Sequence, residues 1–164
     1  MHFRTARLVA RDLTREDFER FFEMQGNANV MRYATGQAQS EQEARADLDR
    51  VIHGYAQPEN DLLVWAIERI ADGAFIGTCA IAGPEHEIGF RLLERYWGHG
   101  YGQEIANGLI RFALGQLGVD RLIAYVYTDN VGSVKILERS PMRFVKEFFN
   151  EEAGLLDRLY TIDK

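Results

Sequence analysis

The segment that most restricts the fold of this chain is a glycine-rich loop at residues 96–104, with the sequence YWGHGYGQE. Three glycines stand at every second position around Gly100, so the backbone can turn sharply and come close to a ligand. A strand-like run precedes the loop at residues 88–93, and a helix-like run follows it at residues 103–117. Backbone N–H groups at such a junction bind phosphate or pyrophosphate. The loop therefore predicts a site for a nucleotide-bearing cofactor.

The loop differs from two common phosphate-binding loops. A Walker loop carries Lys and then Ser or Thr after its last glycine, whereas Gln103 and Glu104 stand here. A dinucleotide fingerprint has the spacing Gly-x-Gly-x-x-Gly, which this loop misses by one residue. A glycine-rich turn without a ligand remains the alternative that the loop alone leaves open.

Length and composition predict one globular domain spanning residues 1–164. The chain is 46% hydrophobic and 27% charged, and no apolar run approaches the ~20 residues of a membrane span. The N-terminus has no secretory signal, and the single cysteine, Cys79, is expected in the core. We therefore expect a cytoplasmic protein that does not act on a membrane.

The formal net charge of −6 argues against nucleic acid as a partner, because phosphate binding favours a basic surface. The same charge is compatible with attraction of a cationic amine, although ordinary solubility explains it equally well. No cluster of Cys, His or Asp has the spacing of metal ligands, so no metal is expected.

Hydrophobic periodicity predicts the element order β-α-α-β-β-β-α-β-α-β-β. The strands are expected at residues 5–11, 62–70, 74–82, 86–93, 122–127, 144–149 and 156–162. Antiparallel strands come first, a strand–helix–strand crossover follows, and a hairpin closes the chain. This order predicts an α/β (α+β) fold with a mixed, mostly antiparallel sheet of about seven strands and helices on both faces.

Several segments resemble the GNAT acetyltransferases. In the pyrophosphate loop of that superfamily, Gln/Arg-x-x-Gly-x-Gly/Ala, Trp97 stands at the first position and the two glycines match. The opening TARLVAR (residues 5–11), the strand EIGF (residues 87–90) and the pair Asn130 and Ser133 resemble the RimJ/RimL-like branch of the superfamily. The element order is similar to the GNAT fold along the whole chain.

The resemblance implies an N-acetyltransferase that uses acetyl-CoA as co-substrate. The acceptor would be a primary amine of a protein N-terminus or a small molecule, attacking the thioester directly, and the enzyme would be a monomer or homodimer. The implied cofactor-binding residues are Phe90, Arg91, Leu92, Trp97, Gly98, His99, Gly100, Tyr101, Gly102, Gln103, Asn130 and Ser133.

The catalytic groups implied by the resemblance are Ser133, near the leaving sulfur, and Glu87, as the base. The alternatives are a serine that is satisfied within its own helix and a glutamate on the outward face of its strand. Asn130 equally suits a helix N-cap, and the two roles can coexist. Many GNAT members place a tyrosine acid where this chain has Leu137, which leaves the proton donor open. The superfamily also has Gly-Phe where this chain has Pro141-Met142, so the preceding helix must end in another way.

Three further residues, Arg32, Tyr33 and Trp65, lie in segments that would border the acceptor groove, with surface packing and hairpin core as their alternatives. The absent tyrosine also permits a second function, a non-catalytic acyl-CoA-binding sensor or interaction module. A phosphate-binding regulator unrelated to CoA is a third reading.

Overall fold

The computed structural model describes residues 1–164. Its strands are β1 (Phe3–Arg4), β2 (Leu8–Asp12), β3 (Leu62–Arg69), β4 (Ala74–Ala82), β5 (Glu87–Leu92), β6 (Arg121–Tyr127), β7 (Arg143–Asn150) and β8 (Leu155–Asp163). Its helices are α1 (Phe18–Gln25), α2 (Ala28–Met31), α3 (Glu41–Gly54), α4 (Tyr101–Phe112) and α5 (Val131–Glu138). None of these helices is long and apolar enough to cross a membrane.

All eight strands belong to one sheet, in the order β1-β2-β3-β4-β5-β6-β8-β7. Every neighbouring pair is antiparallel except β5 and β6, which are parallel. The predicted α/β (α+β) class with a mostly antiparallel sheet is confirmed. The extra strand is β1, whose two residues are too few for apolar alternation to reveal. It pairs with β2 through Phe3 and Ala10.

The parallel strands β5 and β6 touch at one end only. Glu87 is the single β5 residue with a partner in β6, Ile123, and the Ile123 N–H donates to the His86 carbonyl at 3.4 Å. Beyond this point the strands diverge towards their carboxyl ends. An opening therefore lies within the sheet, at the edge where ligands bind in folds with parallel strands.

Helices cover both faces of the sheet. One core lies between the sheet and α4, where Ile105 and Leu109 pack with Leu122 of β6. A second core lies beneath α1 and α3, around Met24 and Leu48. The central strands are consequently buried on both sides.

This double cover corrects the predicted position of Trp65. The residue lies in β3, is only 2% exposed, and packs edge-on against Phe112 with ring centroids 5.5 Å apart. Because a central strand with helices on both faces offers no solvent-exposed side, Trp65 belongs to the core and does not border a groove.

Side chains cap the ends of two helices. A capping box begins α3: the Glu43 N–H donates to Ser40 Oγ at 3.3 Å, and the Ser40 N–H donates to Glu43 Oε2 at 2.7 Å. After the C-terminal end of α5, Ser140 provides the cap that the superfamily's glycine would supply. Its Oγ donates to the Leu137 carbonyl at 2.7 Å and accepts from the Met142 N–H at 3.2 Å.

Candidate active site

The glycine loop connects β5 to α4 at the open end of the cleft. Gly98 and Gly100 have φ angles of 75° and 78°, in the left-handed region that favours glycine. The backbone N–H groups of Gly98, His99 and Gly100 donate to no group of the protein. The first N–H groups of α4, which begins at Tyr101, lack intrahelical acceptors by helix geometry. The loop thus presents a row of free donors at a helix N-terminus, which suits an anion.

The N-terminal segment holds this loop in place. Glu104, in the first turn of α4, accepts hydrogen bonds from Thr5 Oγ1 at 2.5 Å and from the Arg7 N–H at 2.8 Å. The Arg7 guanidinium also donates to the His99 carbonyl at 3.1 Å and lies 4.5 Å from the centre of the Tyr101 ring. The segment that resembles the branch's opening motif therefore fixes the conformation of the glycine loop.

Two further side chains attach the loop to its surroundings. Trp97 Nε1 donates to the carbonyl of Leu92 at 3.0 Å, which ties the start of the loop to the end of β5. Gln103 Nε2 donates to the carbonyl of Ile136 at 3.2 Å, which ties α4 to α5. Both side chains position the backbone donors between them.

The larger lobe of the cleft has a volume of about 920 Å³. It is lined by Phe90, Arg91, Leu92, Trp97, Gly98, Gly100, Tyr101, Gly102, Gln103, Asn130 and Ser133, which are all of the implied cofactor residues except His99. The imidazole of His99 instead stacks on the outside of Tyr101, with ring centroids 5.9 Å apart. Three cationic side chains, Arg32, Lys135 and Arg139, also line this lobe, which suits a polyanionic ligand.

A smaller lobe of about 340 Å³ continues from the larger one. The two share Val30, Tyr33, Phe90, Arg91, Asn130 and Ser133, so they form one cleft. The predicted groove residue Tyr33 lies at this junction, and its hydroxyl donates to the Asp129 carbonyl at 3.1 Å. Arg32 lines the larger lobe only.

Ser133 and Asn130 lie where the lobes meet. Asn130 Oδ1 accepts the Ser133 N–H at 3.3 Å, so Asn130 is the N-cap of α5 and a wall of the cleft at once. The Ser133 Oγ makes no hydrogen bond within the protein, and the residue is half-buried. Its hydroxyl is therefore available to a ligand.

Glu87 lies in the smaller lobe, at the closed end of the split between β5 and β6. The residue is exposed to the cleft, but the walls of the lobe limit hydration of its carboxylate. This desolvation, together with the negative charges of Asp157 and Glu85, raises the pKa of Glu87 above its ordinary value. A carboxyl group with a raised pKa is a stronger base than a solvated one.

Arg91 lines both lobes. Its Nη1 donates to Oε1 of Gln25, a buried residue of α1, at 2.9 Å. Burial lowers the pKa of Arg91, and the nearby carboxylate of Asp47 opposes this effect. The side chain is thus turned towards the helices that cover this face.

Three residues that complete the smaller lobe, Asp157, Tyr125 and Tyr127, are absent from the site predicted from the sequence. Alternation alone places Tyr125 and Tyr127 on one face of β6. No local pattern, however, distinguishes Asp157 from the other polar residues of the final hairpin. Leu137, at the position of the usual tyrosine, is 3% exposed and forms an apolar wall of this lobe.

Cys79 takes no part in the cleft. It is 1% exposed within the main core, as predicted, and its burial raises the pKa of the thiol. A buried thiol that resists ionisation is not a nucleophile.

The comparisons with known proteins agree with this geometry. The family model described as an acetyltransferase (GNAT) domain matches residues 7–143, which include the glycine loop and the residues that line the two lobes, except Asp157. The chain belongs to the GNAT acetyltransferase family. It is 29% identical over 148 residues to the uncharacterized N-acetyltransferase YoaA of Bacillus subtilis, an alignment that covers 87% of this chain and 82% of the relative.

Solved structures share the fold. A GNAT-family acetyltransferase from Bacillus anthracis superposes with a TM-score of 0.87 at 21% identity, covering 99% of this chain and 98% of that one. The spermidine N-acetyltransferase from Vibrio cholerae, solved in complex with CoA and spermine, has a TM-score of 0.79 at 18% identity and covers 95% of each chain. With the family model, these findings make this chain a GNAT N-acetyltransferase.

Proposed function

We propose that this enzyme transfers an acetyl group from acetyl-CoA to a primary amine, by direct attack in a ternary complex, and that residues 1–164 act as one domain. The observation that carries the proposal is the row of free N–H donors at residues 98–100, at the mouth of a cleft with an acidic inner end. We also place the enzyme in the RimJ/RimL-like branch, on the segments at residues 5–11, 87–90 and 130–133. A cytoplasmic site of action suits the free thiol of Cys79.

The larger lobe fits coenzyme A in both shape and charge. Its volume of about 920 Å³ lies near the top of the ~300–1,000 Å³ range of small-molecule sites. The loop around Gly100 would hold the pyrophosphate, while Lys135 and Arg139 would meet the remaining phosphate. The β5 backbone at residues 90–92 has no partner in β6, so its free groups would hold the pantetheine arm.

Acetyl-CoA supplies an acetyl group that is already activated as a thioester. Glu87 accepts the proton that the amine must lose when it attacks, since its raised pKa makes it an effective base. The residue Ser133 lines both lobes and its Oγ is unbonded, so this hydroxyl stabilises or protonates the departing sulfur. No protein nucleophile is needed, in keeping with the buried position of Cys79.

The test has two stages. Thermal unfolding is measured with acetyl-CoA, CoA, NAD and ATP, where ~100-fold excess over Kd stabilises the native state by about 2.7 kcal/mol. We expect stabilisation by the two CoA species alone. Release of the free CoA thiol is then followed with a panel of primary amines, and we expect it to depend on the amine.

The results of these two measurements distinguish the three candidate functions. Stabilisation by NAD, or by no nucleotide, contradicts the assignment of the loop. Stabilisation by CoA without amine-dependent thiol release with any amine favours a non-catalytic acyl-CoA-binding module, to which the absence of a tyrosine at Leu137 gives some support. Competition by free phosphate in the absence of CoA binding favours a phosphate-binding regulator.

A further inference from the structure

The smaller lobe contains two carboxylates that no cation of the protein neutralises. Glu87 of β5 and Asp157 of β8 both line it. Fourteen ion pairs hold other charged side chains of the chain, and neither of these residues takes part in one. An unneutralised acidic pair at the inner end of a cleft favours a cationic ligand.

Strand register brings the two residues to the same face of the sheet. Glu87 pairs with Ile123 of β6, and Tyr127 of β6 pairs with Asp157 of β8. Residues directly opposite each other point to the same side, and so do alternate residues along a strand. Both carboxylates therefore lie on the face that carries Tyr125 and Tyr127.

Asp157 is the more informative of the two because it is buried. The residue is only 5% exposed, yet the sole hydrogen bond of its side chain is the one that Oδ1 accepts from the Arg158 N–H at 3.0 Å. Oδ2 has no donor in the protein. Burying a carboxylate is costly unless donors or cations compensate for the lost hydration. Oδ2 is not fully enclosed, so a ligand that brings N–H donors and positive charge into the lobe can reach it.

The aromatic walls suit the same ligand. Tyr125 and Tyr127 line the lobe beside the carboxylates, and ring faces attract ammonium groups. The negative charges of Glu87 and Asp157 contribute to raising the pKa of both phenols above the ordinary value, after desolvation, which is the largest cause.

The one cationic residue that lines the smaller lobe, Arg91, is engaged elsewhere. It follows Glu87 by four positions, about 13 Å along an extended strand. Its guanidinium donates to Gln25 and is drawn towards Asp47, on the helices that cover this face. The other charged groups whose fields reach this lobe are Glu85 and Glu152, which are also negative.

We propose that Glu87 and Asp157 together bind the ammonium group of the acceptor, and that the acceptor is an amine with no carboxylate on its amino-bearing carbon. Aliphatic amines, amino sugars and peptide N-termini meet this condition. Free α-amino acids do not, because their carboxylate would be a third anion in a lobe that is already acidic. This inference rests on the proposed function, in which Glu87 also removes the proton.

Two probes that differ only in one group test the substrate class. L-Norleucine is n-pentylamine with a carboxylate on the amino-bearing carbon. Binding of each to the CoA-saturated protein is measured by calorimetry, and kcat/KM is measured with acetyl-CoA. We expect n-pentylamine to bind, and L-norleucine to bind at least about tenfold more weakly, as repulsion between unscreened like charges requires.

Three variants test the residues. We expect Asp157→Asn to weaken n-pentylamine binding about tenfold and to move the acid limb of the kcat/KM profile to lower pH, because removing a neighbouring negative charge lowers the pKa of Glu87. Glu87→Gln should weaken n-pentylamine binding similarly and abolish that limb. Asp163→Asn is the matched control on the same strand, since Asp163 pairs with Arg121 and Arg143 outside the cleft.

Wild-type affinity and an unchanged pH profile in Asp157→Asn overturn the proposal. So does equal binding of the two probes, or absence of n-pentylamine binding to the CoA-loaded wild type. Should Asp157→Asn fail to fold, the exposed Glu87→Gln decides by affinity alone. Loss of CoA binding in the wild type contradicts the proposed function instead, so the two failures are distinguishable.

Discussion

The Nε of Arg7 lies 2.7 Å from Oε2 of Glu104, across 97 positions of sequence. The other oxygen of the same carboxylate accepts hydrogen bonds from the Thr5 hydroxyl and the Arg7 N–H. Burial opposes ionisation of Glu104, but these hydrogen bonds outweigh it and hold the pKa of the carboxyl below its ordinary value. Because Arg7 also bonds the His99 carbonyl, an ion pair outside the cleft determines the shape of the loop inside it.

The first prediction concerns this pair. Arg7→Ala should weaken acetyl-CoA binding about tenfold, or about 1.4 kcal/mol, because the loop must then be ordered at the expense of binding energy. Calorimetry with CoA measures the change. Arg45→Ala is the matched control, since Arg45 is an arginine of similar exposure that pairs with Glu41 on α3. Equal CoA affinity in the two variants would show that Arg7 does not position the loop.

The second prediction concerns Gly100. Gly100→Val should abolish CoA binding, because a side chain would stand in the path of the ligand and a β-branched residue resists φ of 78°. Gly83→Val introduces the same kind of strain at φ of 68°, in a turn with open space around it. We expect both proteins to fold with similar melting temperatures and only Gly83→Val to bind CoA. Intact affinity in Gly100→Val contradicts the loop assignment.

The third prediction concerns Ser133. Ser133→Ala should lower kcat about tenfold or more while leaving CoA affinity within a factor of about two, since the hydroxyl bonds nothing in the resting protein. Steady-state kinetics and CoA titration separate the effects. Asn130→Ala removes the helix cap instead and should cost about 1 kcal/mol of stability. An unchanged kcat in Ser133→Ala would leave the serine without a catalytic role.

The fourth prediction concerns Cys79. Cys79→Ala should leave kcat unchanged and cost about 1 kcal/mol of stability, because the thiol is a core group. Thiol reagents should react with the native protein only as fast as it opens. A stable acetylated form of the wild-type enzyme that disappears in Cys79→Ala would contradict direct transfer.

The fifth prediction concerns Asp17, whose carboxylate receives Arg11 Nη1 and Nη2 at 2.9 and 2.8 Å. Burial opposes ionisation of Asp17, but the hydrogen bonds from Arg11 and Thr14 outweigh it and lower the pKa. The stabilisation is therefore complete above the unfolded pKa of about 3.9 and disappears as pH falls through the lower, folded value. Asp17→Asn should cost about 2 kcal/mol at neutral pH.

Denaturant titrations from pH 7 down to acid measure this effect. The gap in stability between the wild type and Asp17→Asn should narrow as the solution becomes acidic. Asp49→Asn is the control, because Asp49 forms an exposed pair with Arg15. A gap that stays constant over the whole range would show that the charge of Asp17 does not stabilise the fold.

Most of the features that can be predicted from the sequence depend on interactions between residues that are close together in the chain. The capping box at Ser40 and the left-handed conformation of Gly118, with φ of 71°, depend on a few adjacent residues. The cap at Asn130 is of the same kind. Such features are readable because the interacting groups lie within one turn of the chain.

The errors and omissions depend on distant parts of the chain. Alternation divides the residues of a strand between two faces, but it does not say what covers each face, so the choice between groove and core for Trp65, which packs against Phe112, stayed open. Asp157 can be recognised as a site residue only from its position beside Glu87, which is 70 positions away in sequence and lines the same lobe. The resemblance to a family likewise supplied no signal for Asp157.

The divergence of β5 from β6 gives this protein a pair of strand edges in its interior. An exposed edge with unpaired N–H and C=O groups invites pairing with other chains and aggregation. Here the unpaired groups beyond Glu87 and Ile123 face a cleft inside the sheet and are not at its outer edge. The fold thus keeps unpaired backbone N–H and C=O groups in its interior, where they can bind a ligand that completes the sheet.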